Sequence, residues 1–290
     1  MSTPPLGHTR CYWTLLSPSL QFLYLDPVLQ AHLSDPPEED VKPSATTKSK
    51  ADGMIGKTLL DYVHPEEQNS AKIDLGQVLD SKTLHGSVTR VRFSSLTKIR
   101  REMGCLPWTN PKSVGVDKDY IPVDLVINWA ADGLVLCFLH AVVDVDPDKE
   151  NDFSLRETQA WTNWCGTPAL DPEQVQMMFG RLLVCGGAET PGGSAGGGAN
   201  GAPGGIGGRV FQILVNDSTK AHLISWPPTD HRHLARLAHN INLDAVNTDA
   251  KTSCTRRFKA SNFPPELGAA VESIFIPHGK SLSLPLFPVQ

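Results

Sequence analysis

Six cysteines in 290 residues (Cys11, Cys105, Cys137, Cys165, Cys185, Cys254) form no Cys-x-x-Cys pair and share no regular spacing. That leaves no zinc ribbon and no disulfide framework, and the thiols read as reduced and mostly buried in an intracellular protein. Positive charge is also in short supply, with 26 Lys and Arg against 31 Asp and Glu for a net charge of −5. A general nucleic-acid coat would need the opposite balance. The longest apolar run, Leu134 to Val143, is interrupted by His140 and falls well short of the ~20 residues that span a bilayer. Met1 to Arg10 has no apolar segment of the secretory kind. The expectation is a soluble intracellular protein, nuclear or cytoplasmic, without a membrane partner. Apolar content of 40% and charged content of 20% suit one large or two small globular domains.

The stretch Gly56 to Glu67 (GKTLLDYVHPEE) organises the rest. Leu59, Leu60, Tyr62 and Val63 form an apolar anchor. Pro65 suits a first helical position, and Glu66 and Glu67 suit the positive end of a helix dipole. Ala71, Leu75, Val78 and Leu79 then recur at helical spacing.

Ahead of this stretch, Cys11–Leu16 and Leu20–Leu25 read as a hairpin, and Asp26-Pro27 caps a short helix carrying Val28, Leu29 and Leu33. Beyond it, Ser87–Phe93 alternates, with Thr89, Val91 and Phe93 on one face and Val88, Arg90 and Arg92 on the other, one face buried and one wet. Ile121–Trp129 and Leu134–Val143 are two further strands joined through Asp132-Gly133, a hairpin signal. Residues 34–52 and 94–119 read as irregular insertions and 147–185 as a connecting segment, with an amphipathic helix over Pro172–Leu183. Residues 186–208 hold 12 of the 24 glycines and read as a flexible linker. Then the order repeats: a hairpin over Val210–Trp226, a helix over His233–Leu243, Cys254–Phe258 echoing Ser87–Phe93, and Val271–Ile276 echoing Val123–Asn128. Pro285 and Pro288 each remove a ladder donor, so 280–290 is expected to be an irregular tail.

Asp61-Tyr62-Val63-His64-Pro65-Glu66-Glu67 resembles the signature ahead of the long helix of PAS domains, a sensor and interaction fold. Phe22–Leu29 and Asp132-Gly133 are similar to further phrases of that family, and Val126–Gly133 to its fungal-type regulators. The resemblance covers residues 8–146. It implies an α+β fold in which a hairpin, short helices, a long helix and three antiparallel strands follow in order, the sheet flanked by helices. Residues 209–279 look like a second PAS domain, degenerate and shortened, without the His-Pro signature. The function implied is that of a non-catalytic sensor or protein-interaction module in a signalling or transcription regulator. Its partner would be another PAS domain or a regulatory protein, bound as a homo- or hetero-dimer.

A covalent flavin sensor needs a cysteine at the start of the long helix, and Glu67–Lys72 has none. For a haem-type alternative His64, His85 and His140 are the weak candidates, each more readily a structural histidine; no cofactor is expected. Asp230–His233 lacks further metal ligands at usable spacing, and no metal site is expected. Trp164-Cys165-Gly166 lacks the surroundings of a thiol nucleophile. An enzyme of unrecognised type remains the other alternative and would show convergent titratable groups in one cleft. Arg90, Arg92, Lys98, Arg100 and Arg101 read as a solvated positive face, and no element reads DNA. Leu125, Ile127, Trp129, Leu136 and Phe138 are the sheet positions expected to form the pocket or the interaction surface, which alternation alone does not orient.

Overall fold

A computed structural model of the chain describes residues 9–35, 50–81, 86–106, 119–142, 164–165, 170–186, 209–228, 232–240, 258–263, 270–278 and 281–288. His85, the corner residues Asp230 and His231, and the 187–208 part of the glycine-rich stretch lie outside them. The fold is α+β, and by its contacts the chain falls into two units, Met1–Asn128 with Val135–Pro168 and Trp129–Leu134 with Ala169–Gln290.

In the first unit β1 (Thr9–Leu16) and β2 (Phe22–Leu25) form the hairpin. Asp26 then caps α1 (Pro27–His32). A 3-10 turn over Leu59–Tyr62 precedes α2 (Gln68–Ser81), whose Ala71, Leu75 and Leu79 are buried. Then come β3 (Ser87–Ser94), α3 (Leu96–Glu102), β4 (Tyr120–Ala131) and β5 (Leu134–Ala141). The antiparallel strands lie in the order β2-β1-β5-β4-β3, and a short β6 (Trp164–Cys165) runs parallel to β1. Strands β1 and β5 thus meet within the sheet, with Cys11 opposite His140 and Leu16 opposite Val135.

Two expectations give way here. The segment 94–119 is not wholly irregular, because Ser95 accepts a hydrogen bond from Lys98 N–H and starts α3. Nor is its basic run a solvated face throughout. Arg100 is buried, and its guanidinium donates to the carbonyls of His32 (2.6 Å), Ser34 (2.9 Å) and Leu106 (2.8 Å). A fixed fork with five donors meets three carbonyls that a lysine cannot span.

In the second unit α4 (Pro172–Gly186) precedes β7 (Val210–Val215), β8 (His222–Trp226), a 3-10 helix over Arg232–Asn240, β9 (Phe258–Asn262), β10 (Val271–His278) and β11 (Ser281–Pro288). The strand order is β8-β7-β11-β10-β9, which is the order of the first unit with corresponding strands in corresponding places. Val210, Leu214, Leu234, Leu237, Phe258 and Phe275 gather in its core. Of the helix expected over His233–Leu243, residues 233–240 lie in a 3-10 helix and the remainder falls outside the described residues.

The irregular tail expected at 280–290 is therefore corrected, because Ser281–Pro288 is a strand between β7 and β10. In an antiparallel strand successive N–H groups point to alternate neighbours, so one proline removes one bond on one side. Toward β7 the register is continuous from Ser281–Val215 to Leu286–Val210. Toward β10 it is held by Ser281–Ser283 and Leu286–Pro288, on either side of Leu284-Pro285. The second unit is complete in strand order rather than shortened.

A chain ending at residue 279 should lose that central strand and with it the second sheet. Hydrogen exchange on the truncated chain is expected to show protection lost over Val210–Val215 and Val271–His278 and kept over β1 and β5. Retained protection in the second unit would show that β11 is dispensable.

Candidate functional site

The side of the first sheet that faces α1 and α3 holds a small cavity of about 50 Å³, lined among others by Tyr12, Leu29, Phe93, Ile99, Val123 and Leu139. This is room for one or two waters, whereas small-molecule sites run to roughly 300–1,000 Å³. Aromatic packing accounts for the filling: Phe22 meets Tyr62 edge-on at 5.7 Å, and Tyr62 stacks on Phe93 at 6.0 Å.

The five sheet positions singled out from sequence are not among its lining residues. Leu125 and Ile127 share the face of Val123 by alternation but lie deeper, fully buried. Leu136 and Phe138 alternate with Leu139 and so fall on the other face, where Phe138 stands opposite Trp13. Both are also fully buried, so they offer no surface to a partner. Trp129 is half-buried near the end of β4.

His64 sits in the signature turn, away from the cavity lining. Its N–H donates to Arg92 O at 2.7 Å, and its ring meets Tyr120 at 4.6 Å. Pro65, Glu66 and Glu67 do not open the helix, as expected from sequence, but form a turn ahead of it. The two carboxylates instead hold β3. Arg92 Nε donates to Glu67 Oε1 at 2.6 Å, its N–H to Glu67 Oε2 at 2.6 Å, and its Nη2 to Glu66 Oε2 at 2.8 Å. The Arg92 side chain holds the Glu66 carboxyl below its usual range, and the Arg92 N–H and guanidinium together do the same for Glu67.

His140 is buried between Leu139 and Ala141, which both line the cavity, so alternation turns it to the opposite face. Its Nε2 has no hydrogen-bond partner among the described residues. Neither histidine therefore stands where it would hold a group in the cavity. Among the described residues no three His, Cys, Asp or Glu side chains converge as a metal cluster would. Cys137 is fully buried, and burial pushes its thiol up.

The charged group that does lie at the heart of this unit is Asp26. Its carboxylate accepts from Trp13 N–H (3.0 Å), Val28 N–H (2.8 Å) and Leu29 N–H (3.1 Å), tying β1 to the start of α1. The Asp26-Pro27 pair shows this as a cap, but the contact with Trp13 carried no sequence signal.

No protein-family model matches the chain, and no curated protein matches it. No helix among the described residues is long and apolar enough to cross a membrane.

Burial pushes the Asp26 carboxyl up to about 7, with the three N–H donors pulling it the other way. A folded value above the unfolded one means that the native state holds the proton longer. Its contribution to stability is therefore full below about pH 4 and declines until about pH 7. The stability difference between wild type and Asp26→Asn should shrink as pH rises through that window, by up to about 1.4 kcal/mol per unit. Urea melts at pH 5 and 7.5 read it, and an unchanged difference would refute the assignment.

Proposed function

We propose that the first unit is a PAS-like interaction module, without catalysis of its own, in a signalling or transcription-associated regulator of the nucleus or cytoplasm. The second unit is then a further copy of the same scaffold. The observation that carries this reading is the order of elements. A hairpin, short helices, a longer helix and three antiparallel strands follow one another as the resemblance implies, and the two units share one strand order. The Asp61–Glu67 turn adds to it, because its Glu66 and Glu67 tie it to Arg92 of strand β3.

The partner is another PAS-like unit or a regulatory protein. The buried sheet positions are not available to it, and the Val88–Arg90 stretch of edge strand β3 is, the Arg92 end being held by the His64–Glu67 turn. Val88 is 58% exposed there, beside Arg90, which is paired with Asp124 at 2.7 Å. An exposed edge offers unpaired N–H and C=O groups to an added strand. The small cavity weighs against a ring cofactor in the first unit, since about 50 Å³ holds neither haem nor flavin.

Light scattering after size exclusion, combined with affinity capture and mass spectrometry on the full chain, tests this. A dimer, or one stoichiometric partner, is expected, and Val88→Asp should weaken that association about tenfold or more. A chain that stays monomeric at all concentrations and captures no stoichiometric partner would overturn the proposal.

A further inference from the structure

The outer side of β3 shows which of its main-chain groups face away from β4. Arg92 turns outward: its carbonyl accepts from His64 N–H at 2.7 Å, and its own N–H donates to Glu67 Oε2 at 2.6 Å. The register of β3 on β4 runs unbroken from Ser87–Ile127 to Ser94–Tyr120. In an antiparallel ladder outward groups recur at every second residue, so the N–H and C=O of Arg90 and Val88 face outward as well. The turn fills the edge beside Arg92, and Val63 bridges to Phe93. Among the described residues no strand lies beyond β3 at Val88 and Arg90. The edge is open for two outward-facing residues and closed after them.

Edge strands are commonly guarded by lysine, proline or a bulge. Ser87–Val91 has none of these, and Val88 is exposed. Its arginine is not a free charge either. Arg90 Nε and Nη2 donate to the Asp124 carboxylate at 2.7 and 3.1 Å, and Arg92 is held by Glu66 and Glu67. Two such edges therefore meet without the repulsion that facing arginines would otherwise bring.

We propose that a second copy of this chain adds at this edge, β3 against β3, antiparallel about a twofold axis at Thr89. Val88 then pairs with Arg90 of the other copy, and Arg90 with its Val88. Each pair exchanges two main-chain hydrogen bonds, and no outward group of either open stretch is left over. Shifted by two residues toward the turn, Val88 would meet Arg92, whose groups are already taken. In the proposed register Val91 meets Ser87, the first residue of β3, so the added strand ends one residue short of that turn. Val88 of each copy lies along the aliphatic stem of the other's Arg90, which takes its exposed side chain out of water. A twofold pair uses each open edge once and closes on itself. Resting on the interaction role proposed above, this pairing supplies its partner and its register.

The test uses the full chain. Light scattering on chain purified alone should give a dimer, and copies carrying two different tags should capture each other when mixed. Val88→Pro removes an outward N–H and leaves the ladder to β4 intact. It should weaken the dimer about tenfold or more, because a twofold pair loses two hydrogen bonds at once, while hydrogen-exchange protection over β1 and β5 stays unchanged. Thr89→Cys sets two cysteines directly opposite each other with Cα atoms about 4.5 Å apart, within disulfide reach. Oxidation with copper phenanthroline should link that variant into a dimer on a non-reducing gel, well above wild type and above Ile73→Cys, exposed on α2. This second variant decides the matter if Val88→Pro fails to fold. A chain that is monomeric alone yet captures a different protein stoichiometrically overturns the second copy as partner and leaves the interaction role standing. One that is monomeric and captures nothing overturns both. A dimer unchanged in a folded Val88→Pro, or Thr89→Cys linking no more than Ile73→Cys, overturns the pairing through β3.

Discussion

The pairing of β1 with β5, and of β7 with β11, is the constraint on which each unit depends. Cys11–Leu16 lies along Val135–His140 in one sheet, and Val210–Leu286 begins the corresponding pairing in the other. Everything between must return the chain to the same place. The entropy of closing such a loop grows only with the logarithm of its length. Long segments between the strands therefore cost little in stability, provided that the closing pair is deep and apolar. It is: Leu15, Leu16, Val135, Leu136 and Cys137 are fully buried. The cost appears in folding rate, because contacts across so much sequence form late.

Much of this was legible because strands with one wet face announce themselves. Ser87–Phe93 alternates as a half-buried strand must, and Val91 and Phe93 are buried while Val88 and Arg90 are exposed. The caps at Asp26 and the faces of α2 were legible for the same reason, a side chain acting on neighbours close in sequence. What escaped was set by partners far away. Arg100 looked like one charge in a basic run, and its burial rests on the distant carbonyls of His32 and Ser34 together with that of Leu106. Pro285 counted against a strand on local grounds, yet pairing on both sides of Ser281–Pro288 outweighs one missing donor. Glu66 and Glu67 were assigned to the nearest helix when a distant arginine held them.

The polar pair on β8, His222 and Ser225, was illegible for a more specific reason: Leu223 is an extra residue between them. Face assignments from sequence rest on a period of two, and a bulge adds one residue and inverts every assignment beyond it. Read without the bulge, His222 and Ser225 belong to opposite faces and never meet. With it, they share one face and a hydrogen bond of 2.7 Å. The same extra residue in β2 delivers Phe22 to an aromatic cluster beside a cavity of about 50 Å³. One backbone device thus serves two ends. In the first unit it supplies bulk that closes the interior, and in the second it sets two polar side chains on one face. Scaffold and chemistry separate at this point: the repeated strand order is set by backbone pairing, while the use made of it turns on which side chain the bulge presents.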